Sequence, residues 1–313
     1  MRYKLLFIIM ALIFSSCNSP VSNQKKNQET TPYTITGYSH DRRLKEVSGM
    51  VGASKHLNHF WVHNDSGDKA VLYRVNNALE ILQEVLIEGA QNIDWEDIAI
   101  GKYKGESTLF IGDIGDNRAL RKTISVYLIN EPKPHENKVS VKRKIEMQYQ
   151  DGARDAEALL FDANAEELVV VTKRDVPSRV YSYALNSEEA KTVLAYQGNV
   201  KLTNETFWDK KDLYRITGGD ASKKRAIILK NYKGVFYYSP KEKQSIKDRL
   251  TKQTPTQLQY EMELQGEAIT LDANGYWVTS ECADDGIKHV AQPLYFYPDF
   301  LPLKNNEGFI LNQ

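Results

Sequence analysis

Short apolar runs, each followed by a turn-forming cluster and a second β-rich run, recur from Tyr33 to Gln313. In the clearest instance, Ala158–Asp162 is apolar, Ala163-Asn164-Ala165-Glu166 reads as a turn, and Leu168–Thr172 is rich in Val. Val180–Leu185 then alternates apolar and polar residues, and Lys191–Tyr196 can add a fourth strand. Alternation with period two and continuous apolar runs of four to eight residues both predict strands. The same order recurs in Gly49–Gly52, Phe60–His63, Val71–Val75 and Ile81–Ile87. It recurs in Asp97–Gly101, Leu109–Gly112, Thr123–Ile129 and Val139–Tyr149, and in Tyr214–Thr217, Ala226–Lys230, Val235–Ser239 and Gln257–Leu264. A last set, Ala268–Asp272, Tyr276–Ser280 and Leu294–Tyr297, lacks an outer strand that Tyr33–Tyr38 can supply. Helical signal is confined to Ser245–Thr251.

An acidic residue precedes or opens the first run of every module: Glu46, Glu96, Glu157, Asp220 and Glu267, at intervals of 50, 61, 63 and 47 residues. Repeats of that length predict an all-β chain, a single β-propeller of five four-stranded blades, with six as the alternative count. A β-sandwich or β-solenoid is the runner-up; a sandwich would not need an acid at one point of each repeat.

The chain's start reads differently. Arg2 and Lys4 precede the apolar stretch Leu5–Phe14, and Ser15-Ser16-Cys17 follows. This predicts a lipoprotein signal peptide over 1–16, too short for a membrane span. Cys17 would then be lipidated, opening a polar tether over 17–32 that leads into the β domain, 33–313. The expected location is the bacterial cell envelope, anchored to the membrane by lipid and facing the periplasm, with the cell surface as the alternative, as a monomer. With 41 Lys plus Arg against 41 Asp plus Glu, the chain has no net charge with which to bind nucleic acid. Cys282 is the only other cysteine, so no disulfide can form within the mature chain.

A hairpin sets the residue before its first strand beside the residue after its second. This predicts the neighbours Glu46 with Asn64, Glu96 with Asp113, Glu157 with Lys173, Asp220 with Lys230 or Asn231, and Glu267 with Glu281. Two carboxylates about 4 Å apart repel by about 4 kcal/mol at an effective dielectric of 20, so the doubly acidic pairs need a cation, a proton or a lysine. Glu96, Asp113, Asn64, Glu281, Glu46 and Glu267 are the candidate metal ligands, and an all-oxygen set suits Ca²⁺ first. Glu157, Lys173, Arg174, Asp220, Lys230, Asp65, Asp116 and Asn117 complete the polar mouth. The loops 63–68 and 112–117, rich in Asp, Asn and Gly, can wrap a cation or simply form Asx turns. Arg154 can bind an anion, but neutralising Asp155 and Glu157 is the plainer reading. Trp61, Trp95, Trp208 and Trp277 read as packing residues. No nucleophile elbow, phosphate loop or zinc-spaced His cluster occurs.

Glu46-Val-Ser-Gly-Met, Asn64-Asp65, Asp94-Trp-Glu96-Asp-Ile-Ala, Asp155-Ala-Glu157-Ala-Leu and Gly266-Glu267-Ala-Ile resemble the blade openings of bacterial envelope propellers of the SdiA-regulated and phytase-esterase-like groups. The resemblance implies a polar, often calcium-holding channel; Lys173 and Lys230 depart from an all-acidic one. Three functions follow. The favoured one is a lipid-anchored binding or scaffolding module that engages a small molecule, glycan or envelope protein. The alternative is a metal-dependent hydrolase of phosphoesterase or lactonase type. The third is a purely structural role for the acids.

Overall fold

The computed structural model describes residues 31–186, 191–202, 213–222, 226–263, 265–284 and 289–300. The strands run β1 (Thr34–Ser39), β2 (Val47–Gly52), β3 (His59–Asn64), β4 (Val71–Asn76) and β5 (Ile81–Glu88). They continue as β6 (Trp95–Tyr103), β7 (Glu106–Asp113), β8 (Ile124–Asn130), β9 (Lys138–Ser140) and β10 (Arg143–Tyr149). Then come β11 (Ala156–Asp162), β12 (Glu167–Thr172), β13 (Arg179–Ala184), β14 (Lys191–Asn199), β15 (Ile216–Ala221), β16 (Ile227–Asn231), β17 (Gly234–Tyr238) and β18 (Thr256–Leu258). The last are β19 (Gly266–Asp272), β20 (Gly275–Ser280), β21 (Ala283–Asp284), β22 (His289–Val290) and β23 (Gln292–Pro298). One helix, α1 (Ile246–Lys252), starts where the Ser245 hydroxyl accepts from the Asp248 N–H, an N-cap that satisfies an otherwise orphaned donor.

Burial follows sequence pattern. β11 and β12 are buried at every position, as continuous apolar runs covered on both faces should be. β5 alternates over Val85–Glu88, with Val85 and Ile87 inward and Leu86 and Glu88 outward, the period-two signature of a half-covered strand. The core is dense both within the eight-stranded sheet and between sheets. Phe110 and Phe161 stack at 4.4 Å, and Phe60 meets Trp277 at 5.2 Å.

The hydrogen bonding corrects the expected fold. Five, or six, equal four-stranded blades are not what the sheets show. Among the described residues the sheets have four strands (β1-β23-β20-β19), eight (β11-β12-β13-β14-β10-β8-β7-β6), four (β15-β16-β17-β18) and five (β2-β3-β4-β5-β9), with a two-stranded ribbon, β21-β22. Sheets of such unequal size lack the radial repeat of a β-propeller, and the resemblance to the SdiA-regulated and phytase-esterase-like propellers falls with it. The cause lies in two parallel pairings. β10 pairs with β14, Glu146 opposite Lys191, and β5 pairs with β9, Leu86 opposite Lys138. These outer contacts fuse what local sequence presents as separate units. The eight-stranded sheet also curls until its edges, β6 and β11, pack together. There the Leu159 N–H donates to Asp97 Oδ2 at 2.8 Å.

One local feature does recur. The strands β2, β6, β11, β15 and β19 lie in contact in succession, with β19 returning to β2. Each carries a register shift near its start: Val47/Gly49, Trp95/Asp97, Ala156/Ala158, Ile216/Gly218 and Gly266/Ile269. These are β-bulges, which bend a strand and re-aim the extra side chain. Close approach at one of them demands glycine: a Cβ on Gly218 would lie 2.4 Å from the Glu267 carbonyl oxygen, whereas one on Gly52 would meet nothing within 4 Å. Gly218→Ala should therefore cost about 1–3 kcal/mol, and Gly52→Ala should be neutral or slightly stabilising. Urea denaturation of the two variants checks this, and equal midpoints would refute it.

Candidate metal centre

The bulges place carboxylates at the N-terminal ends of the inner strands. Glu96 and Glu157 are the extra residues of β6 and β11, and both are buried. Two groups result, Asp65/Asp94/Glu96 and Glu96/Asp155/Glu157, each offering oxygens within 4.8 Å of one another. Glu96 belongs to both. Gly115 makes the crowding sterically feasible, since a Cβ there would come within 2.3 Å of Glu96 Oε1 and 2.6 Å of the Asp94 carboxylate.

Cations balance the charge incompletely. Lys173 forms a very short ion pair with Glu157 and lies 3.5 Å from Glu267 Oε1. Arg174 Nε is 2.7 Å from Asp155 Oδ2, and its Nη2 donates to Asn117 Oδ1. Among the described residues, Glu157 Oε2 remains buried without a hydrogen-bond partner. The Tyr232 hydroxyl donates to Glu267 Oε1 at 3.4 Å, and Gln265 Nε2 donates to Glu281 Oε2 at 2.7 Å. Burial, then the charge of Glu157, drives the Glu96 carboxyl well above the usual carboxylate range. Burial and Glu267 do the same to Glu157. Asp65 is pushed up to about 7 and Glu281 to about 8, each chiefly by burial. Lys173 is pushed the opposite way from what burial alone would do: Glu157 and Glu267 favour its ammonium form. The group as a whole is short of positive charge.

The remaining residues sort by what they touch. Glu267 and Glu281 lie beside Lys173 and Gln265 respectively, as above. Glu46 is turned toward Lys45, with Nζ 3.3 Å from Oε2. Asp113 is fully buried against Arg121, with Nη2 2.8 Å from Oδ1. The Asn64 amide donates to the Arg43 carbonyl and to Asp68 Oδ2, both at 2.7 Å. Asp116 accepts from the Leu120 and Arg121 N–H groups at 2.9 and 2.7 Å, a turn-stabilising use. Asp220 is not at the strand start. It pairs opposite Ile228 and accepts from Thr270 Oγ1 and the Leu271 N–H, both at 2.8 Å. Lys230 is wholly buried, 3.4 Å from Glu263 Oε2 and over the Tyr260 ring. Arg154 engages Asp151 and Asp175 in place of Asp155 and Glu157. Trp61, Trp95 and Trp277 are packed in the core; Trp208 and Cys17 lie outside the described residues. Cys282 is buried, its thiol 2.8 Å from the Val290 carbonyl. His63 is sealed against Gly49 and held neutral by burial, its pKa falling to about 4.

Sequence reasoning missed Asp94 and Asp155. Their signal was present as Asp94-Trp-Glu96 and Asp155-Ala-Glu157, an acid two residues before each bulged glutamate. Glu46 occupies the Asp94 and Asp155 position of its own strand, and there the bulged residue is Ser48.

No family model and no curated protein matches the chain. Among solved structures it is similar to the crystal structure of the major Malassezia sympodialis allergen Mala s 1. That likeness is at 9% identity and a TM-score of 0.53, over 88% of this chain and 98% of that one. At that identity the likeness concerns the fold alone. A luciferin-regenerating enzyme is similar at 10% identity over 82% of this chain and 81% of that one, but its TM-score of 0.42 carries no argument. Among the described residues no helix is long and apolar enough to cross a membrane.

The raised carboxyls have a consequence for stability. A carboxyl that holds its proton more tightly in the folded state stabilises the fold below its unfolded value, near 4. That contribution is lost as pH rises through the folded value. Between about pH 4 and pH 8, the metal-free wild type should therefore lose stability relative to an Asp65→Asn, Glu281→Gln double variant. Melting curves in chelator check the sign, and a gap that closes or favours the wild type as pH rises would contradict it.

Proposed function

We propose that the chain is a metal-dependent hydrolase whose ion is held at Glu96 by the two carboxylate groups that share it. The reading as a binding or scaffolding module on a propeller is set aside: the sheets do not form that fold, and the acids close into chelating groups. The carrying observation is the convergence of Asp65, Asp94, Glu96, Asp155 and Glu157 around too little positive charge, with the buried Glu157 Oε2 unpartnered. An all-carboxylate set favours a hard cation, Ca²⁺ before Mg²⁺ or Mn²⁺. Such an ion polarises a phosphoryl or carbonyl oxygen and acidifies bound water.

The chain's own residues favour a phosphate ester over a lactone. Lys173 is buried and spent on Glu157 and Glu267. Arg174 holds Asp155 and Asn117 yet is exposed at the edge of the group, where a planar guanidinium can trade those partners for a phosphoryl group. In the net reaction, water oxygen bonds to phosphorus as the ester P–O bond breaks, and a proton passes to the departing alcohol. The signal-like start through Cys17 supports placing this activity in the bacterial envelope, anchored by lipid.

Elemental analysis of purified protein should find a divalent ion, with Ca²⁺ raising and EDTA lowering the melting temperature. Glu96→Gln should raise the metal-free melting temperature by about 2–4 °C per kcal/mol of repulsion removed and weaken the ion-induced shift at least about tenfold in ion concentration. Turnover of phosphate mono- and diesters should vanish in EDTA and in Glu96→Gln, and Arg174→Gln should raise KM. An ion that neither binds nor shifts melting sinks the metal centre. A bound ion with turnover of lactones alone sinks the phosphoester assignment.

A further inference from the structure

A second cleft opens at the other ends of the same strands. Its volume is about 560 Å³, and it lies between the end of β2, the β6–β7 turn and the end of β8. From Glu96 to this turn β6 spans roughly 25 Å at about 3.3 Å per residue, so the cleft is separate from the carboxylate groups. That volume is within the range of small-molecule sites.

Cations outnumber carboxylates in its wall. Arg74, Lys55 and Lys133 stand against Glu131 and the exposed Glu106 of the β6–β7 turn, and Trp61 and His56 supply ring faces. His56 and His59 stack at 5.3 Å. Glu131 also lines the cleft, but its carboxylate is already engaged. Oε1 accepts from the Ser54 N–H at 2.8 Å and the Trp61 indole at 3.2 Å. Oε2 accepts from the Ser54 and Ser107 hydroxyls. Arg74 is the reverse case. Among the described residues its Nη1 reaches only His59 Nδ1, at 3.5 Å, and its Nε is buried with no hydrogen-bond partner. Half-buried Arg74 thus lines the cleft with no ion-pair partner among the described residues, beside an inner carboxylate that is saturated. Desolvated donors left unpaired are costly, and a planar oxyanion is what such a fork binds best.

We propose that this cleft is a second ligand site, taking a small anion whose carboxylate or phosphate group is bound by Arg74, with Lys55 and Lys133 at the rim. Any aromatic or apolar body would lie against Trp61 and His56. The inference does not depend on the hydrolase reading, because neither Glu96 nor any other residue of the acidic groups lines the cleft.

Titration of full-length protein, stripped of metal on a chelating resin so that the carboxylate groups take up no phosphate ester, with inorganic phosphate, phenyl phosphate and benzoate, followed by tryptophan fluorescence and calorimetry, tests it. Saturable binding of at least one probe is expected, weakened about tenfold or more in Arg74→Gln and unchanged in Glu96→Gln. The preferred probe distinguishes a phosphate from a carboxylate ligand and shows whether the ring faces contribute. Lys133→Gln, on an exposed loop, should weaken binding by a smaller factor and serves if Arg74→Gln melts early. No saturable binding by any probe, binding indifferent to both substitutions, or binding lost in Glu96→Gln alone would each overturn the proposal.

Discussion

The five inner strands share no backbone ladder with one another, so side chains must hold them side by side. A strand edge with unpaired N–H and C=O groups is costly when buried. Here hydroxyls and carboxylates supply the missing partners. Ser48 Oγ donates to the Glu96 carbonyl at 2.5 Å, and Thr217 Oγ1 to the Gly266 carbonyl at 3.0 Å. The Gly52 N–H donates to Thr270 Oγ1 at 3.2 Å, while Asp97 and Asp220 accept from the Leu159 and Leu271 N–H groups. Burial drives both aspartates' pKa values up, and the backbone donors partly oppose it. Polar residues deep inside the inner strands are therefore structural necessities as well as chemical opportunities.

This division separates two kinds of buried acid that look alike in sequence. Asp97 and Asp220 meet backbone N–H groups and are consumed in joining strands. Glu96 and Glu157, displaced by the bulges, find mostly one another, with Lys173 as partial counterweight. The first kind is satisfied by the fold; the second is left with a charge deficit that an ion would offset.

Legibility in the sequence followed the range of the interactions. Hairpins were readable because alternation and turn chemistry are local: the strands drawn around Leu168–Thr172 and Val180–Leu185 lie close to β12 and β13. The sheets were not, because the β10–β14 and β5–β9 pairings are decided by how distant outer segments meet. Glu96 and Glu157 are legible from their place at strand starts; Glu267 stands at a strand start too, but meets Lys173 and Tyr232. Glu46 could not be told from them because a bulge shifts the equivalence by two residues, and Asp220 because its strand starts earlier than the acid suggests. Asp113 and Lys230 were misleading for another reason: Arg121 and Glu263, which claim them, come from loops that no hairpin rule places.

The strand β1 lies on β23, with Thr34 opposite Phe296 and Ser39 opposite Gln292. Its partner therefore leaves the ribosome only after nearly everything else described has been made. At about 5–20 residues per second, that is a delay of roughly tens of seconds. During synthesis the early segment has no mate, and its hydroxyl and aromatic groups face water. Pairing of the first described strand is thus among the last contacts that synthesis makes possible.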